Sequence, residues 1–117
     1  MDVKRFYQTI GGNYEAALSI MMNDAFITRM LGKFFTNNTY GDVISSYENK
    51  DFAALFAASH ALKGVAGNLA LTPLFEISSV ITEACRNGQE PNLDAEIEEC
   101  TKRYKLIHET YLKEISC

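Results

Sequence analysis

The spacing of apolar residues is the feature that most constrains the fold of this chain. Apolar side chains recur every three or four positions almost throughout, and β-branched residues nowhere alternate with polar ones over the length of a strand. The chain has only two prolines, Pro73 and Pro91, and both lie where the helical spacing is interrupted. The pattern therefore predicts an all-α protein whose helices are separated by short breaks.

The breaks divide the chain into seven predicted helices, which begin near residues 3, 14, 24, 40, 51, 72 and 93. Asn13, Asp51 and Asn92 are N-cap candidates. Thr72 is expected to be the N-cap of the sixth helix, with Pro73 at its first helical position. Short breaks favour antiparallel neighbours. We expect a single domain over residues 1–117 that forms an antiparallel four-helix bundle from the helices beginning near 24, 51, 72 and 93, with short N-terminal helices packed across it.

The helical stripes also predict which side chains fill the core. In the third helix Phe26, Ile27 and Phe34 lie at core spacing. Across the bundle, the residues expected at the centre are Phe34, Leu55, Leu62, Ile77, Ile81, Ile97 and Tyr104.

Composition and charge argue against several classes of function. The formal net charge is −4 and no cluster of Lys and Arg stands out, so nucleic acid is a poor candidate partner. No apolar run approaches the roughly 20 residues of a membrane span, and the N-terminal MDVKRFYQTI lacks the apolar core of a signal peptide. Cys85, Cys100 and Cys117 are odd in number and widely spaced, which argues against a disulfide framework or a thiolate zinc site. We expect a cytoplasmic protein that is a monomer.

The most informative stretch is SHALKGVAGNLA, residues 59–70. It has the spacing of a helix, yet Gly64 and Gly67 each cost a helix interior roughly 1 kcal/mol relative to alanine. At roughly 100° per residue, His60 lies off the core face and shares its side with small residues only. Those residues are Ala53, Ala57, Gly64 and Gly67, whereas the core face holds Phe52, Leu55, Phe56, Ser59, Leu62, Ala66 and Leu69.

This arrangement predicts an accessible imidazole. Gly64 follows His60 by four residues, where a side chain would crowd the ring, and nothing bulky on the same helix is expected to cover it. A neutral imidazole, with an unperturbed pKa of about 6.5, is a nucleophile near neutral pH. A phosphoryl group on that ring would carry negative charge, and Lys63 lies one turn away as a compensating cation. The glycines could instead permit close packing between helices.

SHALKGVAGNLALTPL resembles the histidine-containing phosphotransfer (HPt) domain. The signature of that family is a histidine followed by x-Leu-Lys-Gly, then small residues and a Leu-Gly pair, and it is matched by His60, Leu62, Lys63, Gly64 and Leu69. The likeness extends over essentially the whole chain. ENKDFAALFAASH is similar to the acidic N-cap and alanine-rich run before the histidine, and IGGNYEAALSIMMNDAFITRMLGKFF is similar to the front of small free-standing bacterial members.

The resemblance implies a phosphocarrier in two-component signalling rather than an enzyme. His60 would accept a phosphoryl group from an aspartyl phosphate on a receiver domain and pass it to another receiver. Lys63 would contact that group, Gly64 would leave space for it, and Gly67 and Asn68 would lie where the receiver docks. The chain has no Walker-type or kinase glycine loop and no carboxylate cluster suited to a metal, so Mg²⁺ is expected on the partner receiver and no metal on this chain.

One position departs from the family pattern. Ala70 stands where the family has the glycine that ends the histidine helix in a left-handed conformation. Alanine in that conformation costs on the order of 1 kcal/mol, unless the helix ends differently.

Two other classes of function compete with the phosphocarrier. A degenerate HPt domain would be a helical adaptor that binds a receiver without accepting phosphate. A carboxylate-bridged metal bundle would need Glu-x-x-His motifs, and neither His60 nor His108 belongs to one. His108 lies at the flank of the last apolar stripe and is interpreted as structural.

Overall fold

Seven α-helices and one short 3-10 turn form the regular structure of residues 1–116, the part of the chain that the computed structural model describes. No β-strand occurs among those residues, so the predicted all-α fold is confirmed. Cys117, one of the three predicted thiols, lies outside the described residues. The helices are α1 (Val3–Ile10), α2 (Tyr14–Met21), α3 (Asp24–Thr36), α4 (Thr39–Glu48), α5 (Phe52–Asn68), α6 (Thr72–Ala84) and α7 (Asp94–Glu114), with the 3-10 turn at Arg86–Gly88.

The four-helix bundle consists of α5, α6 and α7 together with a fourth position that α3 and α4 share. In α4, the Tyr40 ring stacks on Tyr104 of α7 at a centroid distance of 3.9 Å. In α3, the Phe35 ring stacks on His108, one turn further along α7, at 4.6 Å. Since only Asn37 and Asn38 separate α3 from α4, the two helices cover successive parts of α7. The sequence assigned the fourth position to α3 alone.

The core of the bundle contains the residues that the apolar stripes predict, with one exception. Five of the seven expected central residues are buried, and Ile97 and Tyr104 are half-buried against the same core. Phe26 was expected at core spacing and is instead 38% exposed, with the Arg29 guanidinium 5.6 Å from its ring centroid. The prediction for Phe26 is therefore wrong: the side of α3 that turns inward carries Ile27, Leu31 and Phe34.

Local capping explains where most of these helices begin. The side chains of Asn13 and Asp51 accept hydrogen bonds from the backbone N–H groups of Ala16 and Ala54, as the sequence predicts. Thr72 is not the N-cap of α6: the helix begins at Thr72 itself, and the Leu71 carbonyl accepts from the N–H groups of Leu74 and Phe75. Pro73 is therefore the second residue of α6, in the first turn, where a backbone N–H would have no acceptor within the helix.

The first two helices close one end of the bundle around the end of α5. The hydroxyl of Tyr7, which is fully buried, donates to the Leu69 carbonyl at 2.7 Å. The backbone N–H of Asn13 donates to the Ala70 carbonyl at 3.1 Å. These bonds hold the turn that follows the histidine helix, so α1 and α2 support the site described next.

Candidate functional site around His60

His60 lies exposed on the outer face of α5, as the sequence predicts. Among residues 1–116, no hydrogen bond or ion pair engages its ring, and the one ring beside it is that of Phe56. The two rings are nearly parallel, with centroids 6.2 Å apart. This corrects the expectation that nothing bulky on α5 approaches the imidazole: Phe56, assigned to the core face, is half-buried and borders the ring on one side. The nitrogens of His60 are left available for a partner.

Gly64 provides the open approach on the other side of His60. A Cβ atom built on Gly64 meets no atom within 4 Å, so this glycine is not required for packing against another helix. Gly64 is exposed and follows His60 by one helical turn. Packing against another helix therefore does not account for this glycine, and the space beside it is open.

Gly67 has a different environment. A Cβ atom there would lie 3.2 and 3.3 Å from two ring carbons of Phe75 on α6, closer than most side chains tolerate. The absence of a side chain at Gly67 lets the Phe75 ring lie against the backbone of α5. Gly67 is thus a packing glycine, and it is half-buried, whereas the neighbouring Asn68 is exposed as the last residue of α5.

Lys63 lies at the edge between α5 and α6, half-buried. Its ammonium nitrogen is 5.9 Å from the centroid of the Phe75 ring, within the range of a cation–π interaction. Its charge also contributes to lowering the pKa of Glu83, after the larger effect of the Arg86 hydrogen bonds to that carboxylate. The Lys63 ammonium therefore lies beside α6, near Phe75.

Arg86 and Glu83 form the far edge of this surface. Arg86 donates from Nε and Nη2 to the two carboxylate oxygens of Glu83, at 2.9 and 2.7 Å. The Arg86 guanidinium carbon also lies 5.4 Å from the centroid of the Phe56 ring, which borders His60. Both charged side chains are about half exposed, so the pair orders this edge and contributes little to stability.

A buried polar contact involves Ser59, the residue that precedes His60 on α5. Ser59 and Thr82 are fully buried, and their hydroxyl oxygens are 2.9 Å apart between α5 and α6. Ser59 is also within bonding distance of the Phe56 carbonyl, and Thr82 of the Ser78 carbonyl. Sequence reasoning placed Ser59 on the core face but did not find this contact, because no pattern in α5 alone indicates which residue of α6 faces it.

The end of α5 resolves the question that Ala70 raises. Ala70 adopts φ +53°, the left-handed conformation in which the family has glycine. The Leu71 N–H donates to the Ala66 carbonyl and the Ala70 N–H to the Gly67 carbonyl, at 2.8 and 3.1 Å. These two bonds form a Schellman motif, so the helix ends in the usual way despite the alanine.

His108 lies away from this surface, within an aromatic cluster between α3 and α7. Its ring stacks on Phe35, with centroids 4.6 Å apart, and lies 5.9 Å from Tyr104. The ring is half-buried, which supports its interpretation as a structural residue.

Residues 1–116 contain no group of three or more His, Cys, Asp or Glu side chains that could hold a metal ion. None of the helices described above is both long and apolar enough to cross a membrane.

Comparison with known proteins identifies one family. A family model described as Hpt domain matches residues 22–113, which include the whole surface around His60. The comparisons with curated proteins and with solved structures found no match.

Proposed function

Because this chain belongs to the Hpt domain family, whose members carry phosphoryl groups on histidine in two-component phosphorelays and interact with receiver domains, we propose that His60 is its phosphoacceptor. The observation that carries the proposal is the combination of an exposed, unpaired imidazole and open space over Gly64 one turn away. A convex surface of this kind suits a reaction in which the partner brings its own aspartyl phosphate to the ring.

The transfer would be a substitution at phosphorus. The unprotonated nitrogen of the neutral His60 ring would donate its electron pair to phosphorus, while the bond from phosphorus to the aspartate oxygen breaks and the aspartate leaves as a carboxylate. The other ring nitrogen would keep its proton. Transfer to a second receiver would reverse these steps, which makes the protein a phosphocarrier rather than a catalyst.

The other site residues would support this step in different ways. Lys63 would leave its position along α6 to neutralise the phosphoryl group, and Gly64 would keep the approach open. Gly67 and Asn68 would lie under the docked receiver. Mg²⁺ would be bound by the receiver, where it neutralises charge on the transferring group.

The test is phosphoryl transfer from a panel of phosphorylated receiver domains. The wild-type protein should acquire an acid-labile phosphoryl group, His60→Gln should acquire none, and the matched variant His108→Gln should behave as wild type. If the wild-type protein binds a receiver but accepts nothing from any of them, it is an adaptor. If His60→Gln still accepts phosphate, the assignment of the phosphoacceptor is wrong.

A further inference from the structure

The packing of the bundle covers Phe75 only in part. The phenyl ring lies on the outer edge of α6, and the residue is 36% exposed, although a large apolar side chain is normally stabilised by burial. Two of its neighbours are site residues of α5. One side of the ring meets the backbone at Gly67, and the ammonium group of Lys63 lies 5.9 Å from its centroid.

Gly67 makes this position of the ring possible. Since a Cβ atom at Gly67 would lie 3.2 Å from the ring carbon Cδ1 of Phe75, any other residue would push the ring outward by a few tenths of an ångström. The glycine lowers the intrinsic stability of α5, as it does at Gly64, but for a different purpose. At Gly67, the missing side chain lets the face of the Phe75 ring lie where the Lys63 side chain can reach it.

From these contacts we propose that Phe75 is a positioning residue that provides a resting place for the Lys63 ammonium when His60 carries no phosphoryl group. This inference rests on the proposed function of His60. The aromatic ring and the phosphoryl group would compete for the same cation. The ring attracts the ammonium through its quadrupole, and the phosphoryl group attracts it more strongly through charge.

The competition has a predictable sign. An interaction present only in the unphosphorylated protein stabilises that state and therefore opposes phosphorylation. A cation–π interaction at an exposed site corresponds to about a two- to fivefold change in an equilibrium constant, or about 0.5–1 kcal/mol. Phe75 would thus make the phosphoryl group on His60 easier to transfer to a receiver.

The first experiment needs no phosphate. Protons on Cε of Lys63 should resonate upfield in the NMR spectrum of the wild-type protein, because they lie near the face of an aromatic ring. Phe75→Leu keeps an apolar side chain against Gly67 but removes the ring, and it should return these protons to the shift of an exposed lysine. An unshifted Lys63 signal in the wild-type protein would overturn the inference, whatever the role of His60.

The second experiment measures the equilibrium constant for phosphoryl exchange between the protein and a phosphorylated receiver, at concentrations where the two proteins are mostly dissociated. This quantity does not depend on how tightly the receiver docks, so it separates Phe75 as a resting place from Phe75 as a docking contact. Phe75→Leu should raise the phosphorylated fraction of His60 about two- to fivefold. Gly67→Ala, which displaces the ring, should shift the equilibrium in the same direction by less.

Two controls make the result specific. In a Lys63→Met background, Phe75→Leu should have no effect, because the competing cation is gone. Phe26→Leu removes another aromatic ring, 38% exposed with Arg29 over it, from α3, which carries none of the proposed site residues. It should leave the equilibrium unchanged. An effect of Phe75→Leu that is absent, opposite in sign or independent of Lys63 would overturn the inference. Failure of the wild-type protein to accept phosphate would instead overturn the proposed function.

Discussion

Replacement of Gly64 by larger residues should move stability and phosphoryl transfer in opposite directions. Glycine in a helix interior costs about 1 kcal/mol relative to alanine. Since a Cβ atom at Gly64 meets nothing within 4 Å, the added methyl group creates no clash that would offset this gain. For a chain of 117 residues, unfolding entropy of about 2.1 cal/mol/K per residue converts 1 kcal/mol into a rise of about 4 °C in Tm.

The same methyl group lies one turn from His60, in the space that the incoming phosphoryl group is expected to occupy. A misplacement of about 1 Å in a transfer reaction can lower its rate on the order of a hundredfold. Gly64→Val, with two further methyl groups, should slow transfer more than Gly64→Ala, while its gain in stability is a few tenths of a kcal/mol because β-branched residues are poorer helix formers.

The assay pairs thermal melting with single-turnover transfer from a phosphorylated receiver, on the same protein samples. Gly41 offers a matched control, because it is also exposed within a helix and a Cβ atom there also meets nothing within 4 Å. Gly41→Ala should not lower the Tm and should leave the transfer rate unchanged. If Gly64→Val transfers as fast as the wild-type protein, Gly64 does not provide access and the explanation fails.

Two further predictions concern the turn after α5 and the buried thiols. Ala70→Gly should raise the free energy of unfolding, measured by chemical denaturation, by about 1 kcal/mol, because Ala70 is held at φ +53°. A decrease would show that the methyl group of Ala70 stabilises the protein by more than the backbone strain costs. Burial raises the pKa of Cys100 from 9.0 to about 12, so its proton is retained in the folded protein while the unfolded thiol ionises. The free energy of unfolding should therefore fall as the pH rises from 9 towards 12, and it should fall less in Cys100→Ala. In a Cys117→Ser background, alkylation of the remaining thiols at about pH 8 should be slow until the protein unfolds. Rapid labelling of the native protein would contradict the burial of these thiols.

Much of the fold follows from local sequence patterns, because the apolar stripes and caps act within a single helix. Asn13 and Asp51 cap helices where their side chains and positions indicate, and Leu55 and Leu62 are buried where the wheel places them. The pattern fails where a neighbouring helix decides the outcome. Phe26 has the spacing of a core residue, but Ile27, on the adjacent side of α3, is the one turned toward the bundle.

The arrangement of α3 and α4 could not be predicted for a related reason. Each helix has an apolar stripe, and a stripe does not indicate which partner will cover it. The stacking of Tyr40 on Tyr104 and of Phe35 on His108 depends on which part of α7 each helix reaches. Sequence reasoning therefore predicted the seven α-helices of residues 1–116 correctly, but it did not predict that α3 and α4 share the fourth bundle position.

The two glycines after His60 show most clearly what the sequence alone leaves open. Both lie at helical spacing from the histidine, both lower helix propensity, and both were expected to serve access and docking. The difference arises from α6, which places Phe75 against Gly67 and nothing over Gly64. Residue spacing along α5 carries no information about that neighbour. Gly64 therefore borders open space one turn from His60, and Gly67 leaves room for the ring over which Lys63 lies.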